Sequence, residues 1–252
     1  MPPIPTDSEE YRDLRELADN LPGGFNIDLL SDGVSIGFST PSATIRYKHS
    51  FTEQRFLNRA YQSNQTLLKA CSNKQHSIHQ VLDLTGGWGV DSFILAHHGR
   101  KVSMLEQNSL IYAITAYTLR CAQSTQQLVN TVNRLDRINI DGFAFLNSDQ
   151  CSGRFECIYM DPMFPSHKSG AKPAKEMQIL QKLTENLDIE PCFLLALKKA
   201  TNRVVVKRPA KSAPFSDLRP DLVYREKTIR FDVYLTRQHQ DQANRSQTQT
   251  EG

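Results

Sequence analysis

Apolar and polar positions change their period along this chain. Between Glu9 and Asn20 apolar residues fall at Tyr11, Leu14, Leu17 and Ala18, a helical spacing that Leu21-Pro22-Gly23-Gly24 stops. Residues 25–50 alternate instead (Phe25, Ile27, Leu29; Val34, Ile36, Phe38; Ile45, Tyr47), with turn signals at Ser31-Asp32-Gly33 and Pro41-Ser42. That alternation predicts short antiparallel strands. With a loose lead-in rich in Pro and acid over the first ten residues, segment 1–60 reads as a small α+β cap on the substrate side.

From about residue 54 the pattern shifts again. A helical stretch over 54–71 and a polar loop over 72–79 lead into alternating strands and helices. Strands are predicted at 81–84, 101–105, 138–141, 157–160 and 203–207, with helices at 91–98, 109–123, 175–187 and 190–200. A short helical or loop piece follows the third strand, and 222–225 and 231–236 read as paired strands. Such alternation predicts right-handed βαβ units and a parallel sheet covered on both faces, an α/β fold. The main domain then spans 61–236, and the Gln-, Asn-, Ser- and Thr-rich tail 237–252 is expected to be disordered. No internal repeat is evident.

Composition narrows the class. At 39% hydrophobic and 23% charged residues over 252 positions, the chain is an ordinary globular protein able to bury a large core. Its longest apolar runs fall far short of the roughly 20 residues that span a bilayer. The start, MPPIPTDSEEY, has neither a basic stretch nor an apolar signal core, so a cytoplasmic location and no membrane partner are expected. The five cysteines form no CxxC pair, which supports neither a disulfide framework nor a zinc site, and no metal is expected. The net charge of +3 is small, but 161–211 holds ten Lys/Arg against five Asp/Glu, a local basic excess.

The chemistry concentrates at strand ends, where open α/β sheets bind ligands. After the first main-domain strand comes Asp83-Leu84-Thr85-Gly86-Gly87-Trp88-Gly89-Val90-Asp91. Glycines there let the backbone turn tightly and approach a ligand. Asp83, Asp91, Glu106 and Asp141 end strands or open helices and are expected to project over one edge of the sheet. Several carboxylates would repel the pyrophosphate of a dinucleotide. They suit S-adenosylmethionine, which carries an ammonium and a sulfonium. In that reading Asp83 lies near the methionine end, Glu106 with Gln107 near the ribose hydroxyls, and Asp141, Gly142 and Phe143 near the adenine. Alternatives stay open at single positions: Glu106 alone suits NAD equally, Asp91 suits a helix dipole, and Phe143 suits a core.

After the fourth strand stands Asp161-Pro162-Met163-Phe164-Pro165, a carboxylate followed by two prolines around an aromatic. Prolines stiffen such a loop. An exocyclic amine has its lone pair delocalised into the base, and acceptors on its N–H groups favour the pyramidal, nucleophilic form. The Asp161 carboxylate and Pro162 carbonyl are candidate acceptors, and Phe164 a candidate stacking partner. Alignment of the reactants is the main lever for such a displacement.

The Asp161 motif resembles the (Asp/Asn)-Pro-Pro-aromatic motif of amino-directed methyltransferases, with Met163 replacing the second proline. MLEQN at 104–108, YMDPMFP at 159–165, KEMQILQKL at 175–183, RVVVKRP at 203–209 and RFDVY at 230–234 are together similar to the bacterial small-subunit ribosomal RNA guanine-N2 methyltransferases of the J type. The similarity covers roughly 78–236. It implies a class I methyltransferase fold with a Rossmann-like, seven-stranded, mostly parallel sheet, and methylation of one guanine N2 in small-subunit rRNA, free or within the assembled 30S particle. Two departures stand out. Residues 46–55 contain no glycine where family members carry an Arg- and Gly-rich loop, and Val90 replaces an arginine after the glycine turn.

His167, Lys168 and Lys172 follow the motif, and Lys207 and Arg208 follow the next strand; beside a base-binding loop these are candidate phosphate contacts. Few exposed aromatics are evident, so shape and a flipped base are the expected mode of recognition. Competing functions are amino-methylation of DNA adenine or protein glutamine, an NAD-dependent oxidoreductase, and a catalytically silent RNA-binding module.

Overall fold

The computed structural model describes residues 8–21, 23–41, 43–162, 173–184, 190–213 and 218–236. Helix α1 (Glu9–Asp19) is capped by Ser8, whose hydroxyl accepts the Tyr11 amide at 3.2 Å, with Glu9 and Glu10 favourably placed at the positive end of its dipole. Strands β1 (Phe25–Leu30), β2 (Gly33–Thr40) and β3 (Ala43–His49) form an antiparallel meander. The helical stretch expected over 54–71 is two helices, α2 (Gln54–Ala60) and α3 (Thr66–Ala70). Between them the Gln65 side chain donates to the carbonyls of Arg59 and Gln62, at 2.9 and 3.0 Å, and closes the break.

The main domain then runs β4 (Gln80–Asp83), α4 (Val90–His97), β5 (Lys101–Leu105), α5 (Ser109–Gln123), α6 (Val129–Val132), β6 (Leu135–Ile138), α7 (Gly142–Asn147) and β7 (Cys157–Met160). It continues with α8 (Lys175–Leu183), α9 (Glu190–Lys199), β8 (Arg203–Pro209), β9 (Leu222–Arg225) and β10 (Ile229–Leu235). The seven strands are ordered β6-β5-β4-β7-β8-β10-β9, with β10 antiparallel to both of its neighbours. The chain builds outward from β4 to β6, then restarts on the other side at β7. The connections from β4 to β5 and from β7 to β8 thus leave in opposite directions, and a crevice opens at the carboxyl ends of β4 and β7.

Alternate residues of the central strands feed two apolar layers, as the pleat requires. Val81, Cys157, Tyr159, Val205 and Val233 pack with Phe93 and Ile94 of α4 on one face. Leu82, Ile158, Met160, Val204 and Val206 pack with Phe145 of α7 and Phe193 of α9 on the other. Each fully buried large side chain here contributes roughly 1.5–3 kcal/mol. The cap has its own sheet but not its own core. Leu14, Val34 and Ile36 share one cluster with Ile111, Ile114 and Tyr117 of α5 and with Trp88. The Tyr117 hydroxyl also donates to the Leu30 carbonyl at 3.0 Å.

One strand lies elsewhere than the pattern predicts. β6 covers Leu135–Ile138, not 138–141, because Asp141 caps α7: its carboxylate accepts the Ala144 amide at 2.9 Å. The expected strand end at Asp141 is therefore a helix start. Strand β8 also continues past 207 to Pro209. Residues 237–252, expected as a disordered tail, lie outside the described residues, and no helix among the described residues is long and apolar enough to cross a membrane.

Candidate active site

Two loops leave the sheet at the switch point. At the end of β4, Asp83 is buried and accepts three hydrogen bonds: Oδ1 accepts the Thr85 amide at 3.0 Å and its hydroxyl at 3.3 Å, and Oδ2 accepts the Ser92 hydroxyl at 2.6 Å. Burial pushes this carboxyl up to about 7, against the pull of those hydrogen bonds. The turn that follows needs glycine. A Cβ at Gly86 would lie 2.5 Å from the Met104 side chain and 2.8 Å from the Leu105 carbonyl, and Gly87 has φ +51°.

Glu106 braces this turn from beneath. Its Oε2 accepts the Gly87 amide at 2.9 Å and its Oε1 the Asn108 amide at 2.7 Å. Burial raises its pKa, and those backbone donors pull it back. Each carboxylate oxygen has a second acceptor position, so the brace is compatible with a further donor. Trp88, in the middle of the glycine turn, staples three elements. Its indole N–H donates to the Glu176 carbonyl of α8 at 3.2 Å, and its ring lies 5.5 Å from Tyr47 and 5.4 Å from His49 of β3. The signal was available: it is the chain's one tryptophan, inside a glycine turn, and a buried indole N–H needs a partner.

Asp91, in the first turn of α4, accepts the Tyr159 hydroxyl at 2.6 Å and the Lys207 ammonium at 2.8 Å on the same oxygen. Lys207 also donates to Asp161 Oδ2 at 2.7 Å, and the Asp161 amide donates to the Thr85 hydroxyl at 2.6 Å. Burial alone would raise Asp91, yet Lys207 and Tyr159 hold it below the usual carboxylate range. Burial raises Asp161 while Lys207 opposes the rise. Lys207 itself would be lowered by burial, but the two carboxylates hold it above the usual range.

These groups surround a cavity of about 420 Å³, within the range of small-molecule sites. Of the expected site residues, Asp83, Thr85, Gly86, Gly87, Val90, Asp91, Asp161, Pro162, Lys207 and Arg208 line it. Gly89 begins α4 instead, Glu106 lies under the loop, Gln107 is exposed, and Asp141 and Gly142 open α7. Phe143 is 47% exposed and fills no core. Phe164, His167, Lys168 and Lys172 lie outside the described residues. Arg59, Trp88, Tyr159, Glu176, Met177 and Leu180 line the cavity without having been singled out for it. Tyr159, Glu176, Met177 and Leu180 fall within the blocks YMDPMFP and KEMQILQKL and Trp88 within the glycine turn, whereas Arg59 comes from α2, outside every motif.

Two of the expected phosphate contacts are turned inward. Lys207 is only 18% exposed and is claimed by two carboxylates, so its charge is neutralised within the fold. Arg208 is buried: its Nε donates to the Ser212 hydroxyl at 3.3 Å and an Nη to the Ala213 carbonyl at 2.7 Å. The acid count around the ligand edge changes with this, since Asp91 and Asp161 share one ammonium and Asp141 caps a helix.

The donor set fits S-adenosylmethionine. Lys207 is matched by two carboxylates and Arg208 is held by Ser212 and Ala213, so Asp83 and Glu176 stand beside the glycine turn with Arg59 as the remaining cation, a lining that admits a cationic ligand and offers a pyrophosphate little. Sheet order, switch point and site together define a class I S-adenosylmethionine-dependent methyltransferase. Residues 33–236 match the family described as SAM-dependent methyltransferase. A curated relative, ribosomal RNA small subunit methyltransferase J of Coxiella burnetii (strain Dugway 5J108-111), is 42% identical over 173 residues, 68% of this chain and 66% of its own length, just under two thirds. The protein of the same name from Thioalkalivibrio sulfidiphilus is 31% identical over 241 residues, covering 89% of this chain and 94% of its own. The crystal structure of a SAM-dependent methyltransferase from Neisseria gonorrhoeae superposes with a TM-score of 0.69 at 24% identity, covering 92% of this chain and 94% of that one; it is similar in fold. The chain belongs to the SAM-dependent methyltransferase family that includes the ribosomal RNA small subunit methyltransferase J proteins.

Proposed function

We propose that this protein methylates the exocyclic N2 amine of a guanosine in small-subunit ribosomal RNA. The observation that carries the amine chemistry is the state of Asp161. Its side chain remains 39% exposed at the cavity while one oxygen is held by Lys207, at the end of a strand and directly before Pro162. S-adenosylmethionine, when bound, supplies a methyl group made electrophilic by its sulfonium.

The chain's own residues do the rest. Asp161 and the Pro162 carbonyl accept the N–H groups of the amine and turn its lone pair outward. Phe164 stacks on the base. Asp83 and the glycine turn hold the cofactor's methionine end, Glu106 and Gln107 its ribose, and Asp141, Gly142 and Phe143 its adenine. Holding the two reactants in line supplies most of the acceleration. No side chain has to remove a proton before attack, because the methylated cationic amine loses one readily to water. His167, Lys168 and Lys172 contact RNA phosphates.

Support for the RNA substrate comes from the relatives' names, ribosomal RNA small subunit methyltransferase J. The reading carries with it a cytoplasmic location and the small subunit, as naked rRNA or as an assembled 30S particle, as partner. The test is methyl transfer from labelled S-adenosylmethionine to rRNA and to 30S particles from a strain lacking this protein, with the product nucleoside identified by mass spectrometry. N2-methylguanosine on one nucleotide, lost in Asp161→Ala, is expected. Label on neither substrate, or only on adenine or on protein, would falsify the proposal.

A further inference from the structure

We propose that Lys207 is a positioning residue for the reaction carboxylate: it fastens Asp161 to Asp91 through one oxygen and leaves the other to the incoming amine. This rests on the role proposed above for Asp161. The geometry follows from the sheet. Tyr159 of β7 pairs with Val205 of β8, so two residues further along the same face Asp161 and Lys207 emerge side by side. Lys207 then reaches Asp161 Oδ2 at 2.7 Å and Asp91 Oδ2 at 2.8 Å, and Asp91 is anchored in turn by the Tyr159 hydroxyl at 2.6 Å. Among the described residues no hydrogen bond falls on Asp161 Oδ1, the oxygen left for substrate.

Two other roles for this lysine conflict with its surroundings. A phosphate contact would bring an anion up to a cation already flanked by two carboxylates and mostly shielded from solvent. A general base needs a neutral amine, and an ammonium held between two anions keeps its proton. What the ammonium does is separate two like charges that would otherwise face each other at the cavity wall. The groups facing the pair are Asp83 on β4, Asp91 on α4, Tyr159 on β7, Arg59 on α2, Glu176 on α8 and Arg208 on β8. Of these, only Asp91 lies within hydrogen-bond reach of Lys207 besides Asp161 itself. With the lysine gone, both burial and the Asp91 charge act to raise Asp161, and a protonated carboxyl no longer offers two acceptor oxygens.

The test combines a titration with turnover, using full-length protein. The Asp161 carboxyl carbon, ¹³C-labelled and assigned through Asp161→Asn, is followed by NMR against pH in wild type, Lys207→Met, Lys207→Arg and Asp91→Asn. The Asp161 midpoint is expected to rise by about one unit or more in Lys207→Met, to stay near wild type in Lys207→Arg, and to fall in Asp91→Asn. In methyl transfer, kcat of Lys207→Met should drop about tenfold or more, with KM for RNA within about threefold. Adding Asp91→Asn to Lys207→Met should restore part of kcat by removing the repulsion.

An unmoved Asp161 midpoint in Lys207→Met overturns the inference, and so does a raised KM for RNA at unchanged kcat. Should Lys207→Met fail to fold, an unmoved midpoint in Asp91→Asn overturns it equally. If the midpoints move as expected but wild type modifies no rRNA, the substrate reading fails while the lysine's role stands.

Discussion

The Thr85 hydroxyl accepts the Asp161 amide at 2.6 Å, although 76 positions separate the two residues. It is the knot between the glycine turn after β4 and the backbone at the end of β7. The same hydroxyl donates its one proton to the Asp83 carboxylate at 3.3 Å, so that carboxylate and the Asp161 backbone are linked through one oxygen.

Cutting that knot should cost both stability and rate. Thr85→Ala leaves the Asp161 amide without its partner, a loss of about 1–3 kcal/mol. Thr85→Ser keeps the hydroxyl and should recover most of it. Urea denaturation measures the stability, and single-turnover methyl transfer measures the rate. Equal behaviour of the Ala and Ser variants would show that the hydrogen bond does not position Asp161.

Asp83 predicts a particular pH dependence. Burial raises its folded-state value to about 7, against about 3.9 for an unperturbed aspartate. The folded protein therefore holds this proton more tightly than the unfolded chain. Stability contributed by Asp83 is full below pH ~4, falls as pH rises toward 7, and stays reduced above it, by an amount on the order of a few kcal/mol. Asp83→Asn removes that loss, so its stability relative to wild type should increase from pH 4 to pH 8 while its affinity for S-adenosylhomocysteine falls. A stability difference that is flat across this range, measured by denaturant titration, would refute the assignment.

Trp88 supplies a direct reporter. It is the chain's one tryptophan, it lines the cavity, and it is 6% exposed. Adding S-adenosylhomocysteine should change its emission in a saturable way, which gives the dissociation constant. Trp88→Phe keeps most of the packing but loses the bond to the Glu176 carbonyl, so ligand binding should weaken more than folding does. Trp88→Ala should destabilise by about 3–5 kcal/mol, because Tyr47 and His49 of the cap lose their partner. Silent emission on saturation would place the ligand away from the glycine turn.

Some of this was legible in the sequence because the signal is local. The helix over Ser109–Gln123 and the strands over Lys101–Leu105 and Cys157–Met160 lie where the pattern predicts them, since period and capping signals decide them within a few positions. Asp141 misled for an equally local reason. An aspartate after Ile138 and Ile140 ends a strand and opens a helix with the same appearance, and only the pairing of Leu135 with Val102 chose between them. Lys207 and Arg208 misled more deeply, because charge was visible and direction was not.

By itself, the sequence determined the alternation of strands and helices, the glycine turn that allows close backbone approach, and the placing of Asp161-Pro162 directly after a strand. Those are properties of short segments, set by periodicity, φ and donor inventory. Only the tertiary structure decided which charges meet. Lys207 lies 116 positions from Asp91 and 46 from Asp161, and it finds them because the strand order places β7 beside β8 and Phe93 and Ile94 pack α4 against the face of Tyr159 and Val205. The Coulomb energy of a charge depends on its distance to its partner and on how much water lies between them, and chain position specifies neither. That is why a lysine that reads as a surface contact is, in the fold, an ammonium shared between Asp91 and Asp161.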